Sequence, residues 1–268
     1  MNPLGTAPSR LVQGVILTII GVIFAIPIVA MVEFTLRAGL EGGYNLDHWT
    51  AIFDPERERV YRGLFEGVTN SLVLAVVTVA IVLVLLVPTM VLVRLRFPRL
   101  ERALELICLV PITVPAIVLV VGLAPVYGVV VDVFGSDSWT LAFAYGITVL
   151  PFAHRALQSN LDSVDVGTLA EAGRALGASW ANVLVGVILP NLRRGLLAAS
   201  LISVAVVLGE YTIASLLNRQ NLQTAIVQVS KSDAFVAVIF ALLALIFCFI
   251  LLLIIGRASS ARRGRRTS

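Results

Sequence analysis

The sequence predicts an all-α, polytopic membrane protein with six transmembrane helices. Hydrophobic residues make up 59% of the 268 residues and charged residues only 13%, whereas soluble proteins carry about 25% charged residues. Charge-poor stretches recur six times along the chain, and most of them reach the roughly 20 apolar residues that cross a bilayer. These stretches use up most of the chain, so no room remains for a large soluble domain.

The predicted transmembrane domain extends over 11–256, between a short polar start at 1–10 and a basic tail at 257–268. A polar segment at 33–66 separates the first two spans and has room for one amphipathic helix. Prolines in the third apolar run predict a helix that breaks before its end. The spans are expected at about 11–32, 68–93, 104–124, 138–154, 191–217 and 234–256.

The fifth span is unusual because an acid interrupts it. Only 15 residues separate Arg194 from Glu210, and at about 1.5 Å per residue they are too short to cross a bilayer. We therefore predict one continuous helix over 191–217 with Glu210 buried within it. An ionisable residue inside a membrane is a candidate functional residue. The alternative is that Glu210 reaches the outer interface or makes a hydrogen bond that supports packing.

The distribution of basic residues predicts the orientation of the chain. If the N-terminus is cytoplasmic, the cytoplasmic segments hold 14 Arg and Lys residues and the outer segments hold 6. Cytoplasmic loops of membrane proteins are enriched in Arg and Lys. Both termini and the long polar segment at 155–194 are therefore expected in the cytoplasm.

The segment at 155–194 has the pattern of a helix–turn–helix. Thr168 and Glu171 have the spacing of a capping box, which predicts a helix start at Thr168. Gly177 follows where a helix end favours a left-handed residue. Ser179 is placed to cap a second helix, and Pro190 is expected to interrupt the pattern before the next apolar run. The alternative is an ordinary amphipathic loop between two spans.

The sequence lacks the motifs of several common enzyme classes. The sequence has no phosphate-binding loop and no H-E-x-x-H or G-x-S-x-G motif, so we expect no ATP binding, catalytic residue, metal or cofactor in this chain. His48 and His154 are expected on opposite sides of the membrane. Cys108 and Cys248 lie in apolar runs and suggest no disulfide framework. We interpret the net charge of +4 as a sign of membrane topology, with basic residues concentrated in cytoplasmic loops, rather than of nucleic-acid binding.

The residues from Glu171 to Pro190 resemble the cytoplasmic loop of type I ABC importer permeases, the binding-protein-dependent transport permeases. That family's pattern is Glu-Ala-Ala, three residues, Gly, nine residues and Ile-x-Leu-Pro. Here Gly173 replaces the second Ala and Val187 replaces the Ile. The resemblance covers roughly residues 65–256, and the matching residues are Glu171, Ala172, Gly177, Leu189 and Pro190.

The resemblance implies a MetI-like permease fold in a bacterial cytoplasmic (inner) membrane. In this family the loop at 168–190 docks into a groove on a separate ATP-binding subunit, which acts as a dimer. A second homologous permease and an extracytoplasmic substrate-binding protein complete the transporter, and the bilayer surrounds it. The resemblance therefore implies coupling roles, and no catalytic ones, for Glu171, Ala172, Gly173, Gly177, Leu189 and Pro190, with Leu169 and Leu176 as apolar anchors.

The resemblance extends less specifically to a substrate class. Pro111 to Pro115 and the Gly209-Glu210-Tyr211 run resemble the polyamine, iron, thiamine and phosphonate branch. An acid at Glu210 in the substrate pathway, beside Tyr211, favours a polyamine such as spermidine or putrescine. Iron(III), thiamine or a phosphonate is the alternative. A stand-alone secondary transporter and a membrane scaffold are alternatives of other classes; the first would more often show an internal repeat and several intramembrane charges.

Overall fold

The computed structural model describes residues 9–39 and 42–260, and for Arg10, Glu58 and 254–260 it describes the backbone alone. Most of the predicted polar start (1–8) and basic tail (261–268) therefore lies outside the described residues. Almost all of the described chain is helical. The helices are α1 (Arg10–Leu36), α2 (Asp47–Ala51), α3 (Glu58–Arg96), α4 (Glu101–Thr113), α5 (Ala116–Phe134), α6 (Ala142–Leu161), α7 (Val166–Ala175), α8 (Trp180–Val183), α9 (Leu189–Asn191), α10 (Arg193–Gly209), α11 (Thr212–Leu216), α12 (Leu222–Val229) and α13 (Ala234–Ser260).

Within the described chain, four helical stretches are long and apolar enough to cross a membrane by themselves. They are Leu11–Leu36, Arg59–Arg96, Ala116–Phe134 and Ala234–Leu253. The segments Trp180–Asn191 and Arg193–Gly209 would make a fifth span if taken together, although they meet at a bend of 77°. The helical membrane architecture is therefore confirmed, and the count of six spans stays a prediction.

Two helix breaks lie inside spans that were predicted from the sequence. The expected break in the third apolar run lies at Val114, which is extended and precedes Pro115. A residue before proline is pushed out of the helical region, so the break falls in the middle of the expected span at 104–124. The prediction of one helix over 191–217 is wrong. α10 ends at Gly209, Glu210 is extended, and α11 is a separate short helix.

The bend before α10 has a local cause in Pro190. A proline ring inside a helix clashes with the carbonyl group four residues earlier, which here belongs to Gly186. The turn before Pro190 widens into a π-helix over Leu184–Ile188, and the Asn191 amide donates to the Val187 carbonyl at 2.7 Å. The bend itself follows at Leu192, which is almost fully buried.

The chain divides into two compact units. The first holds Met1–Tyr61 and Ile226–Leu245. Within it, the Phe235 ring stacks on Phe34 and on His48, with ring centroids 4.7 and 3.9 Å apart. The Tyr61 hydroxyl donates to Asp233 at 2.8 Å. His48 is thus a packed residue of the short helix α2.

The second unit holds Arg62–Ala225 and Ile246–Ser268, and its centre is the packing of α10 against α6. The Gly195 N–H donates to the Asn160 side-chain oxygen at 3.1 Å. A Cβ placed on Gly195 would lie 2.8 Å from the Asn160 Cβ, closer than atoms in proteins approach. Gly195 therefore permits the contact between the two helices.

We expect Gly195→Ala to destabilise the fold by about 1–3 kcal/mol, the usual cost of overpacking. The added methyl group would meet Asn160 and strain its hydrogen bond. The matched control is Gly122→Ala in α5, where a Cβ meets nothing within 4 Å. Thermal unfolding of the purified protein in detergent is the measurement, and equal midpoints for the two variants would contradict the assignment.

Candidate functional site

The helix–turn–helix predicted near Glu171 is present, but it begins one turn earlier than expected. Asp165 caps α7: its carboxylate accepts the Thr168 N–H at 3.1 Å and the Thr168 hydroxyl at 2.6 Å. Thr168 is therefore the partner of a cap and not the cap itself, which corrects the proposed Thr168–Glu171 box. Asp is preferred over Thr at this position, and the D-x-x-T spacing was the available signal. Glu171 is left exposed and without a capping role.

The turn after α7 has the geometry that its sequence predicts. Gly177 has a φ of +82°, the left-handed conformation that favours glycine. The Ala178 N–H donates to the Gly173 carbonyl and the Gly177 N–H donates to the Arg174 carbonyl, as in a Schellman motif. Ser179 caps α8 by accepting the Asn182 N–H at 3.2 Å. Both the glycine and the serine predictions are confirmed, so the turn is fixed by backbone hydrogen bonds.

The two helices of the loop approach each other at Gly173. A Cβ on Gly173 would lie 3.0 Å from a methyl group of Val183, which is fully buried. The glycine that departs from the family pattern therefore has a packing role as well as a cost in helix propensity. Val166 and Ala170 are buried in the same core cluster as Val183, which attaches the loop to the rest of the second unit.

The apolar residues expected as anchors differ in exposure. Leu176 is 89% exposed, at the last turn of α7 before Gly177. Leu169 and Leu189 are half-buried, and Ala172 and Pro190 are exposed. A large apolar side chain with so little cover, held on a fixed turn, is available for contact with another molecule.

Two arginines and a tryptophan at the second helix were not anticipated from the sequence. The guanidinium carbons of Arg96 and Arg174 lie 5.2 and 5.5 Å from the Trp180 ring centroid, within cation–π range. Arg174 also donates to the Ala178 carbonyl at 2.7 Å. Beside Trp180 lies a polar cleft of about 870 Å³, to which Arg96 and Glu171 contribute. The contact between Arg96 and Trp180 spans more than 80 residues and has no local sequence signal.

Glu210 lies at the break between α10 and α11, half-buried. Its carboxylate accepts the Ile213 N–H at 3.0 and 3.2 Å. It therefore makes the backbone hydrogen bond that the alternative interpretation allowed, and its role in a substrate pathway stays a prediction. Tyr211 is 40% exposed and takes no part in that contact.

Asn221, which the sequence analysis missed, organises the backbone around Glu210. It is fully buried, and its amide nitrogen donates to the Glu210 carbonyl at 2.7 Å and to the Tyr145 hydroxyl at 3.0 Å. Its amide oxygen accepts the Thr224 N–H, while the Thr224 hydroxyl accepts the Asn221 N–H, both at 2.9 Å. The N-x-x-T spacing could have indicated a cap, but the contacts with Tyr145 and Glu210 are long-range.

Residues 90–268 match the family model of the binding-protein-dependent transport system inner membrane component. The match covers roughly two thirds of the chain, including α4 to α13. The chain belongs to this family. It is thus a permease of the ABC importer type. The matched region begins at residue 90, later than residue 65, where the expected resemblance begins. Among curated proteins, none matches the permease significantly.

We expect the cap of α7 to weaken only at acidic pH. The hydrogen bonds from Thr168 hold the pKa of Asp165 below its usual value. A lowered pKa in the folded state adds stability that is complete above the unfolded pKa of about 3.9 and is lost as the pH falls through the folded value. The protection factors of the α7 amides, which compare each exchange rate with that of an unfolded chain at the same pH, should therefore fall below about pH 4.

The same measurement separates the cap from other acid effects. Asp165→Ala should accelerate exchange in α7 at neutral pH, and Asp165→Asn should retain the cap and remove its pH dependence. An unchanged acid response in the Asn variant would contradict the assignment to Asp165.

Proposed function

We propose that the permease forms the translocation pathway of an ATP-driven importer and that its 168–190 loop docks on a separate ATP-binding subunit. The observation that carries the proposal is Leu176, an apolar side chain that is 89% exposed on a turn fixed by Gly177. A helix that places apolar anchors into a groove is a common mode of recognition. The loop also carries the family pattern at Glu171, whose carboxylate is exposed.

The path by which such a loop would move the membrane helices runs through the second unit. α7 is attached to α8 where Gly173 meets Val183, and the helical segment from Trp180 to Asn191 continues into α10 through the bend at Leu192. α10 in turn packs on α6 at Gly195. Packed interfaces of this kind move as bodies rather than deforming continuously. A displacement of the docked loop would therefore reach α6 and α10.

The proposal includes the partners that the family works with. These are a dimer of ATP-binding subunits, a second homologous permease and an extracytoplasmic substrate-binding protein, with both termini of this chain in the cytoplasm. ATP hydrolysis would occur on the partner subunit. A stand-alone secondary transporter would instead work without a nucleotide-hydrolysing subunit, so co-purification with such a subunit distinguishes the two.

For the substrate we propose a polyamine, with the Glu210 charge facing the pathway beside Tyr211. Iron(III), thiamine and phosphonates remain the alternatives. One observation favours an anion such as a phosphonate: the Nε of Arg219 is buried and has no hydrogen-bond partner among the described residues. A polyamine is a cation and a phosphonate is an anion. Measuring uptake after neutralising Glu210 or Arg219 therefore distinguishes the two substrate classes.

We expect Glu171→Lys and Gly177→Asp to uncouple ATP hydrolysis from transport while the chain still inserts. The lysine reverses an exposed charge, and the aspartate strains a backbone at φ +82°. Uptake should fall roughly tenfold, as expected for a loss of about 1.4 kcal/mol in a docking interface. Uptake and ATPase activity of the assembled transporter in proteoliposomes are the measurements.

The control is Gly186→Ala, in the same loop. A Cβ on Gly186 meets nothing within 4 Å and its φ is not positive, and a methyl group adds no charge, so this variant should transport normally. Normal transport by both Glu171→Lys and Gly177→Asp would refute the coupling role.

Glu210 is tested by separating its charge from its hydrogen bond. Glu210→Gln keeps an oxygen that can accept the Ile213 N–H but removes the charge, and Glu210→Ala removes both. We expect the Gln variant to lose uptake of labelled spermidine or putrescine while keeping its thermal stability and its ATPase association. If the Gln variant transports normally and only the Ala variant fails, Glu210 has a structural role alone.

A further inference from the structure

An apolar groove of about 540 Å³ runs along the last turns of α3 and beside the segment that begins with α8. Its apolar lining includes Val91, Leu92, Leu184 and Ile188, and Trp180 lies at its edge. The volume is in the range of small-molecule binding sites. Leu92 is 52% exposed, so the groove is open at its rim.

The position of the groove places it near the surface of the bilayer. The apolar stretch Arg59–Arg96 is long enough to span a membrane, and the groove lies at its final turns, beside Arg96. Tryptophan and arginine are typical of the interface between hydrocarbon and water. The apolar wall would therefore face acyl chains, and the Arg96–Trp180 end would face headgroups.

The positive charges at that end are not neutralised. No carboxylate lies within 4 Å of Arg96 or Arg174 in the part of the chain that the structure describes. Arg94 is different, because Glu101 and Asp162 pair with it at 3.1 and 3.2 Å. Arg96 and Arg174 therefore keep their positive charges beside Trp180, without a carboxylate to pair with.

The neighbouring polar cleft does not remove these charges. Asp162 is paired with Arg94, and Asp165 accepts both hydrogen bonds from Thr168. Glu171 contributes to the cleft without an ion pair to either arginine. Arg96 and Trp180 line both the apolar groove and the polar cleft. The apolar surface therefore ends at these two residues, and the polar surface begins there.

We propose that this groove binds an anionic phospholipid, with one acyl chain along Val91 and Leu184 and the phosphate at Arg96, beside Trp180. An acyl chain matches the apolar wall, and burial of each methylene group stabilises binding. The planar guanidinium group suits phosphate recognition, and basic pockets at the ends of transmembrane helices hold anionic headgroups. The proposal depends on the membrane setting and not on the transported substrate.

The test uses Trp180 as the probe of its own groove. The chain has 3 tryptophans, so Trp49→Phe and Trp139→Phe leave Trp180 as the only emitter in the full-length permease. The protein is placed in vesicles of zwitterionic lipid with an equal mole fraction of either brominated phosphatidylglycerol or brominated phosphatidylcholine. We expect phosphatidylglycerol to quench Trp180 with a preference of about five-fold for each arginine engaged.

Variants of the arginines decide whether the preference is specific. Arg96→Gln should lose most of the preference, Arg96→Lys should retain part of it, and Arg99→Gln, which alters an exposed residue outside the groove, should not change it. Circular dichroism confirms that each variant is folded, and Arg174→Gln supplies a second test if Arg96→Gln unfolds. Equal quenching by the two lipids, or an equal loss in Arg99→Gln, overturns the proposal. So does loss of quenching when the partner subunits assemble, because a protein would then occupy the groove.

Discussion

Backbone groups at a helix break in an apolar chain need hydrogen-bond partners within the protein, and this constraint explains the buried polar contacts at the two ends of α10. Asn160 accepts the Gly195 N–H at the start of α10. At its other end, Asn221 donates to the Glu210 carbonyl and Glu210 accepts the Ile213 N–H. Both ends of α10 are thus matched by side chains that bond backbone groups which the helix leaves without partners.

The same contacts show which features a sequence can predict. The left-handed Gly177 and the Ser179 cap depend on neighbours within a few residues, so their pattern was sufficient. The sequence predicts the start of α7 one turn late because Asp165 and Thr168 can both act as an N-cap, and Asp165 is the stronger of the two. The break at Glu210 was missed because it depends on Asn221, whose bonds to Glu210 and other helices are tertiary. The helical class, the loop and the proline break near Val114 could be predicted, whereas the break at Glu210 could not.

The interruptions are also what connects the loop to the membrane helices. If the helix ran unbroken from Trp180, the bend of 77° would be absent and α10 could not turn onto α6. Pro190 supplies the reason for the widened turn, and the buried Leu192 fixes the bend in the core. Pro190 therefore marks a bend between two helical segments and not simply the end of a helix. A packed bend of this kind would pass a displacement of the loop on to α10, as the proposed coupling requires.

Glu210 has two properties that need separate explanations: its carboxylate caps the Ile213 N–H, and it carries a negative charge. Capping the Ile213 N–H requires an acceptor oxygen, which a neutral glutamine supplies equally well. A carboxylate in partly apolar surroundings carries a desolvation cost that the amide avoids. The Ile213 N–H and the Tyr145 hydroxyl both bond the Glu210 carboxylate, and hydrogen bonds of this kind offset part of such a cost. The capping oxygen and the charge are therefore separable properties of Glu210, and only the charge bears on the proposed cation pathway.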